Sequence, residues 1–120
     1  QLLVSMHQDR DLRDEEGRPL FRYTLAAAGR DGTMRKRLTE LEGRVYAKSG
    51  YINGVSCLSG YLLVPLRPDE ATPVRTIAFS LLFNDLKPPV YLFKIKALQE
   101  QLVTVLHDEL APAAVAVQER

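Results

Sequence analysis

The sequence predicts an α+β domain in which an antiparallel meander of about three strands carries a helix near the C-terminus. Three observations lead to this prediction. Apolar and polar residues alternate from Arg44 to Gly50 with the period of two that is typical of a half-buried strand. Asn53-Gly54 is a strong hairpin signal, because both residues accept the positive φ of a type I′ turn. After Pro89 the apolar residues recur every three or four positions, as on one side of a helix.

Two further strands are predicted after the hairpin turn. Val55 to Val64 runs back beside the first strand, and Gly60 within it indicates a bulge or a close approach of two backbones. Val74 to Phe83 is nearly continuous apolar sequence, which predicts a strand covered on both faces.

The helix is predicted from about Val90 to Leu110, because Pro112 stops it. The tail from 113 to 120 carries no turn or cap signal and is expected to fray. One apolar stripe should lie on the sheet, and it consists of Ile95, Leu98, Leu102, Val105 or Leu106, and Leu110.

The N-terminal third is predicted to be less regular. Residues 1–7 form a short apolar element whose type the pattern leaves open, and residues 8–19 form a polar loop. Thr33 is expected to cap a short helix with Arg35-Lys36-Arg37 on its solvated face. The buried face of this helix would consist of Met34, Leu38 and Leu41.

The composition restricts the classes of function. With 120 residues, 46% of them hydrophobic, the chain fits one small domain with a single core. Sixteen basic and fifteen acidic residues leave a formal charge of +1, which argues against bulk attraction to nucleic acid or to an acidic membrane. Cys57 is the single cysteine, so it forms no internal disulfide, and its apolar neighbours predict a small buried side chain.

Lys48, Ser49 and Gly50 end the first strand with a cation, a hydroxyl and a bare backbone. Such a set can hold an anionic, peptide-like ligand, because lysine provides a point charge, serine a rotatable hydroxyl, and glycine room for close approach. Strict alternation puts Lys48 and Ser49 on opposite faces, so a ligand that uses both must lie along the strand edge unless the strand twists. The structural alternative is a lysine whose stem covers apolar surface while its charge stays in water.

Three stretches between residues 28 and 64 form a series. They read Gly-Arg-Asp-Gly-Thr at 29–33, Ala-Lys-Ser-Gly at 47–50 and Gly-Val-Ser-Cys-Leu-Ser-Gly-Tyr at 54–61. The series resembles the D-alanyl-D-alanine carboxypeptidase/endopeptidase family of low-molecular-mass penicillin-binding proteins, in the superfamily of DD-peptidases and serine β-lactamases. The resemblance implies a penicillin-binding/β-lactamase-like transpeptidase domain, of which residues 1–120 would be the C-terminal portion.

The resemblance also implies an activity: a serine-type D-Ala-D-Ala carboxypeptidase that cuts peptidoglycan stem peptides through an acyl-enzyme, with neither cofactor nor metal. The family uses Ser-x-x-Lys for nucleophile and base, then Ser-x-Asn, then Lys-(Thr/Ser)-Gly. Only the third motif is in this sequence. We therefore expect a single-domain fragment that is inactive alone and whose parent lies in the periplasm or cell envelope.

Four residues receive roles from the resemblance. Lys48, as the motif lysine, is expected near the substrate's terminal carboxylate, and Ser49 is expected to donate a hydrogen bond to it. Gly50 belongs to the same substrate-binding strand, and the backbone N–H of Tyr51 would supply one arm of the oxyanion hole. The sequence departs from the family at two of these positions: serine replaces the commoner threonine at 49, and a phenol occupies 51, where a small hydroxyl residue is frequent.

Other classes of function stay open. One is a non-catalytic interaction or structural module on the same scaffold, and another is a generic α+β domain with a chance motif. The expected partners are a peptidoglycan peptide or a β-lactam in the parent, and either the remainder of the parent or a second copy of the chain to cover its apolar strands.

The remaining polar candidates point to structural roles. His7 and His107 have no ligand partners at metal-binding spacing. Asp31 fits a turn or a cap better than a catalytic acid, and Ser56 and Ser59 fit core or cross-strand positions.

Overall fold

The computed structural model describes residues 1–70, 72–88 and 91–112. Within these ranges four strands form one antiparallel sheet in chain order, and two α-helices accompany it. The elements are α1 (Leu2–Gln8), β1 (Ala26–Ala27), β2 (Val45–Ile52), β3 (Val55–Pro65), β4 (Val74–Phe83) and α2 (Leu92–Leu110). The predicted α+β class with a C-terminal helix is confirmed. The sheet has one strand more than predicted, because two alanines pair with β2.

The hairpin of β2 and β3 has its predicted position. Ile52 pairs with Val55 across the Asn53-Gly54 turn. Within this turn only Gly54 has a positive φ, 81°, so the predicted type I′ geometry is wrong although the hairpin is confirmed. The turn requires a left-handed backbone at its second residue alone, which glycine adopts without steric cost.

Gly60 marks a close approach of two backbones, one of the two alternatives predicted for it. It pairs with Ala47 on one side and with Phe79 on the other, without a break in either register. A Cβ atom here would lie 2.0 Å from the carbonyl oxygen of Tyr46 and 2.6 Å from Cα of Ala47. Because any larger residue would displace β2, glycine is required at this position.

The core lies between α2 and one face of the sheet. Side chains alternate along each strand, so every second residue of β2, β3 and β4 points toward the helix. The predicted alternation of β2 is confirmed, since Val45 and Ala47 are buried while Lys48 is exposed. Fully buried members of the core from the strands and the helix are Val45, Ala47, Leu58, Leu62, Val64 and Val103.

The helix α2 is rotated about its axis relative to the prediction. Leu106 and Leu110 pack against the core as expected. Of the alternatives Val105 and Leu106, Leu106 is the one that faces the core. Gln99 also faces the sheet and is fully buried, whereas Leu98 and Leu102 of the predicted stripe are exposed. The stripe was predicted from the spacing of apolar residues, and this spacing does not reveal that a glutamine is buried. The prediction is therefore wrong at these positions. Val90 and the tail from 113 to 120 lie outside the described residues.

The strand β4 forms an edge of the sheet, and the described chain covers its face toward α2 and only part of its other face, near Thr76 and Ala78. Phe79 is buried on the side of α2, whereas Ser80 and Leu82 on the other side are exposed. The described chain does not cover the whole second face of β4, and the partner expected to cover the rest stays a prediction. An apolar run does not reveal that only every second side chain has a neighbour.

The helix α1 covers part of the opposite face of the sheet. The hydroxyl of Tyr61 donates to the carbonyl of Leu3 at 2.5 Å, and the centroids of the His7 and Tyr61 rings are 5.6 Å apart. The short N-terminal element is thus a helix, and the stretch after it contains a 3₁₀ turn at Arg10–Leu12.

The helix predicted after Thr33 is wrong. Two 3₁₀ turns, Gly32–Met34 and Thr39–Leu41, occupy this stretch, and Leu38 between them has a left-handed φ of 52°. The apolar spacing nevertheless identified the buried side chains, which are Met34, Leu38 and Leu41.

We expect the docking of α1 to depend on pH through His7. The pKa of His7 lies below its ordinary value of 6.5, chiefly because the imidazole is partly buried. The positive charges of Arg13 and Arg22 lower it further. The docked helix favours the neutral imidazole of His7. The contribution of this imidazole to docking is therefore complete above pH 6.5 and decreases as the pH falls below that value. Hydrogen exchange of the α1 amides at about pH 8 and about pH 5 measures this difference. A His7→Leu variant should lose the pH dependence, and equal protection of α1 in the two wild-type samples would contradict the expectation.

Candidate functional site

One edge of β2 has no strand partner beyond its first residues. β1 pairs with Tyr46 and Ala47 alone. From Lys48 to Ile52, no strand of the described ranges pairs with this edge, while the other edge pairs continuously with β3. An unpaired edge is a template to which an extended peptide can add as a further strand.

The main-chain groups of Ser49 and Tyr51 point toward this open edge. The carbonyl of Val45 accepts a hydrogen bond from the N–H of Ala28, on the β1 side, at 2.8 Å. Because N–H and C=O groups alternate in direction along a strand, the next residues that face the same way are Ala47, Ser49 and Tyr51. The open edge therefore presents the N–H and C=O groups of Ser49 and Tyr51.

The side chain of Lys48 reaches the same edge. It starts on the face of the sheet opposite to Ser49, and its ammonium donates to the carbonyl of Ser49. Among the described residues no carboxylate forms an ion pair with Lys48. The ammonium of Lys48 thus lies over the open edge, and no side chain in the described ranges compensates its charge. The side chains of Lys48 and Ser49 start on opposite faces of the sheet, but both reach this edge.

The hydroxyl of Ser49 contacts Thr33, the residue predicted to cap a helix. Ser49 Oγ donates to Oγ1 of Thr33 at 2.9 Å. Thr33 is exposed in the 3₁₀ turn Gly32–Met34, whose cap position is held by Asp31. Asp31 Oδ1 accepts from the N–H of Ala27 at 2.9 Å, so the turn role expected for Asp31 agrees with its contacts.

A buried chain of polar side chains anchors the segment that carries Thr33. Arg37 is 8% exposed, and its Nε donates to Oε2 of Glu100 at 2.9 Å. Its Nη2 donates to Oε1 of Gln99 at 3.2 Å, and Gln99 Nε2 donates to Oγ of Ser56, also at 3.2 Å. Ser56 pairs with Tyr51 across the hairpin. The chain therefore links the loop of Thr33, through α2, to the strand behind the open edge.

The prediction of a solvated basic cluster is wrong for one of its three members. Arg35 and Lys36 are exposed, whereas Arg37 is buried against α2. Its partner Glu100 is 63 positions away in sequence, so no local pattern could have indicated the pair.

Gly50 and Tyr51 complete the strand motif. A Cβ atom at Gly50 would lie 2.7 Å from Sγ of Cys57, so the two residues fit each other across the hairpin. Cys57 is itself only half-buried, in contrast to the prediction of a buried side chain. The phenol of Tyr51 is 56% exposed beside the hairpin turn.

The other polar candidates have structural contacts. Ser56 is buried and accepts the bond from Gln99, and Ser59 lies 2.7 Å from Ser80 across the strands, both as predicted. His107 contacts Asp108 at 3.1 Å. The described ranges contain no group of three or more side chains suited to a metal ion, and no helix there is long and apolar enough to span a bilayer.

Comparison with models of protein families gives a match. The model of a family described as D-Ala-D-Ala carboxypeptidase 3 (S13) matches residues 4–107. The matched range includes Thr33, the open edge of β2 and the anchor formed by Arg37 and Glu100. No curated protein matches the chain.

Proposed function

The chain belongs to the D-Ala-D-Ala carboxypeptidase 3 (S13) family, as its motifs predicted, and on that premise we propose that it supplies the substrate-binding strand of a serine-type D-Ala-D-Ala carboxypeptidase. The proposed substrates are peptidoglycan stem peptides, which would put the protein in the periplasm or cell envelope. One observation carries the proposal: an ammonium, a hydroxyl and two N–H groups that have no strand partner among the described residues converge on the open edge of β2.

Each group at the edge suits one part of an acyl-D-Ala-D-Ala ligand. The ammonium of Lys48 binds the terminal carboxylate, because a charge-assisted hydrogen bond is stronger than a neutral one, and the hydroxyl of Ser49 contributes to the same site. Gly50 leaves room for the peptide to run along the strand. The N–H of Tyr51 donates to the carbonyl oxygen of the scissile bond, where negative charge develops during acyl transfer.

The nucleophile and its base do not come from these 120 residues. No serine of the sequence begins a Ser-x-x-Lys or a Ser-x-Asn motif. Ser56 and Ser59 are engaged by Gln99 and Ser80. In the proposed mechanism this chain therefore binds and orients the substrate, and the bond to the acyl group forms on a serine outside it.

We expect no covalent adduct when the isolated chain is incubated with a penicillin. A β-lactam acylates an activated serine, and no serine here has a lysine at the required spacing. Intact mass spectrometry measures the adduct, and an unchanged mass is the expected result. A stoichiometric increase that disappears in Ser49→Ala would contradict this reading and make Ser49 a nucleophile.

We expect Lys48→Met to weaken the binding of an N-acetylated D-Ala-D-Ala peptide by about fivefold, the upper end of the range for one solvent-exposed charge pair. Methionine keeps much of the length of lysine and removes the charge. Calorimetric titration of the free acid and of the C-terminal amide of the peptide measures the effect, which should be confined to the acid. Lys94→Met on α2 is the control and should bind as the wild type does. Equal affinity of wild type and Lys48→Met for the acid would contradict the proposed role.

A non-catalytic module on the same scaffold is the second candidate, favoured by the absence of both serine motifs from the 120 residues. Both candidates predict that the open edge binds the acid peptide. Acylation of the full-length natural protein by a penicillin distinguishes them, since only the enzyme forms the adduct.

A further inference from the structure

We propose that the hydroxyl of Thr33 is a ligand of the terminal carboxylate of the substrate, and that Ser49 supports it by donating its own proton to Thr33. The inference rests on the function proposed above and adds a residue to that site. It comes from the hydrogen bond that joins the two side chains at the open edge of β2.

The direction of this hydrogen bond determines which proton is free. Ser49 Oγ donates to Thr33 Oγ1 at 2.9 Å, so the single hydroxyl proton of Ser49 is engaged by Thr33. The proton of Thr33 has no acceptor among the described residues, so a ligand can accept it. A hydroxyl that accepts a hydrogen bond is polarised into a better donor, so Thr33 is the stronger donor of the pair.

The exposure of the two residues agrees with this assignment. Thr33 is exposed, whereas Ser49 is half-buried. Thr33 lines a shallow depression together with Gly32, Arg35 and Lys36. Two cationic residues therefore line the same depression as Thr33, and their charge favours an anion there.

The segment of Thr33 is held from two sides, so the hydroxyl is in place before a ligand arrives. On one side, Asp31 accepts a hydrogen bond from the N–H of Ala27 in β1. On the other side, Arg37 is bound to Glu100 and Gln99 of α2. A donor that is fixed in advance costs little conformational entropy when the ligand binds.

The test removes the hydroxyl of Thr33 in a variant that already lacks the hydroxyl of Ser49. In Ser49→Ala the hydroxyl of Thr33 can still donate, so this variant should keep measurable affinity for the N-acetylated D-Ala-D-Ala acid. Adding Thr33→Val, which removes only the hydroxyl from a similar shape, should then weaken binding about tenfold more, the effect of one hydrogen bond to a charged group. Adding Thr33→Ser instead should leave the affinity of Ser49→Ala unchanged. The C-terminal amide of the peptide is the ligand control and should not respond to Thr33.

The outcomes separate this inference from the function on which it rests. If Thr33→Val has no effect in the Ser49→Ala background while Lys48→Met still weakens binding of the acid, the role of Thr33 is wrong and the proposed function stands. If the wild type binds acid and amide equally, the proposed carboxylate site is wrong and the role of Thr33 is wrong with it. A loss with Thr33→Val that Thr33→Ser does not rescue would assign the effect to structure and overturn the inference.

Discussion

Gly60→Ala is expected to destabilise the chain by about 3 kcal/mol or more, at the upper end of what overpacking costs in a folded core. The added Cβ would lie 2.0 Å from the carbonyl oxygen of Tyr46, and backbone cannot rotate away as a side chain can. Gly60 pairs with Ala47, the residue before Lys48, so relief of the clash displaces β2 at the start of the candidate site. Urea denaturation followed by circular dichroism measures the loss of stability.

Gly50→Ala is the matched control for this substitution. Its Cβ would meet only Sγ of Cys57, at 2.7 Å, and a side chain can give way. The double variant Gly50→Ala/Cys57→Ala should restore most of any stability lost. If Gly60→Ala unfolds at the same urea concentration as the wild type, β2 and β3 do not approach closely enough to exclude a Cβ atom at position 60.

Glu100→Leu is the second substitution with a large expected effect, a loss of about 2 to 3 kcal/mol of stability. Arg37 has a side chain that is 10% exposed, and without Glu100 its guanidinium loses its carboxylate partner while it remains buried. The side chain of Glu100 is 30% exposed, and solvent screening therefore keeps the loss below that of a fully buried pair. The segment that carries Thr33 should loosen at the same time. Urea denaturation measures the stability, and hydrogen exchange at residues 32–38 measures the loosening.

The control for the ion pair is a double variant. Arg37→Met/Glu100→Leu removes both charges and should be more stable than Glu100→Leu alone, because no unpaired charge then remains buried. Glu109→Leu, an exposed position on the same helix, should change stability little. If Glu100→Leu and Glu109→Leu are equally stable, the buried pair does not anchor the loop.

The features that local patterns specify were predicted from the sequence. The Asn53-Gly54 signal lies within the residues that form the turn, and the predicted bounds of β4 agree with those observed. Gly60 within an apolar strand indicated a bulge or a close approach of two backbones, and the close approach is observed. Each of these signals depends on residues that are close in sequence, so the chain itself contains the information.

Contacts between distant parts of the chain were not predictable in the same way. Gln99 is buried because it bridges Arg37 and Ser56, which lie 62 and 43 positions away. The 3₁₀ turns replace a helix because Leu38 has a left-handed backbone, and its N–H contacts Glu100 Oε1 at 3.4 Å. Apolar periodicity has no signal for such polar tertiary contacts.

The sequence predicted the residues of the candidate site that lie on β2. It did not predict that Thr33, in the preceding loop, belongs to the site. Lys48 and Ser49 were identified from a three-residue motif, and their roles remain predictions. The contact of Ser49 with Thr33 spans 16 positions and depends on how the turn Gly32–Met34 lies against β2. The Gly-Arg-Asp-Gly-Thr stretch belongs to the series that resembles the family. It is the signal from which a place for Thr33 at the site could have been predicted.

Two-dimensional amide NMR spectra test the central claim most directly, namely that the open edge of β2 binds an acyl-D-Ala-D-Ala terminus. The chain is titrated with the N-acetylated dipeptide as free acid and as amide. We predict saturable shifts at the amides of Ser49, Gly50 and Tyr51 with the acid, weaker shifts with the amide, and none at the exposed edge of β4. Shifts that are absent from residues 48–52, or that do not distinguish acid from amide, would contradict the account.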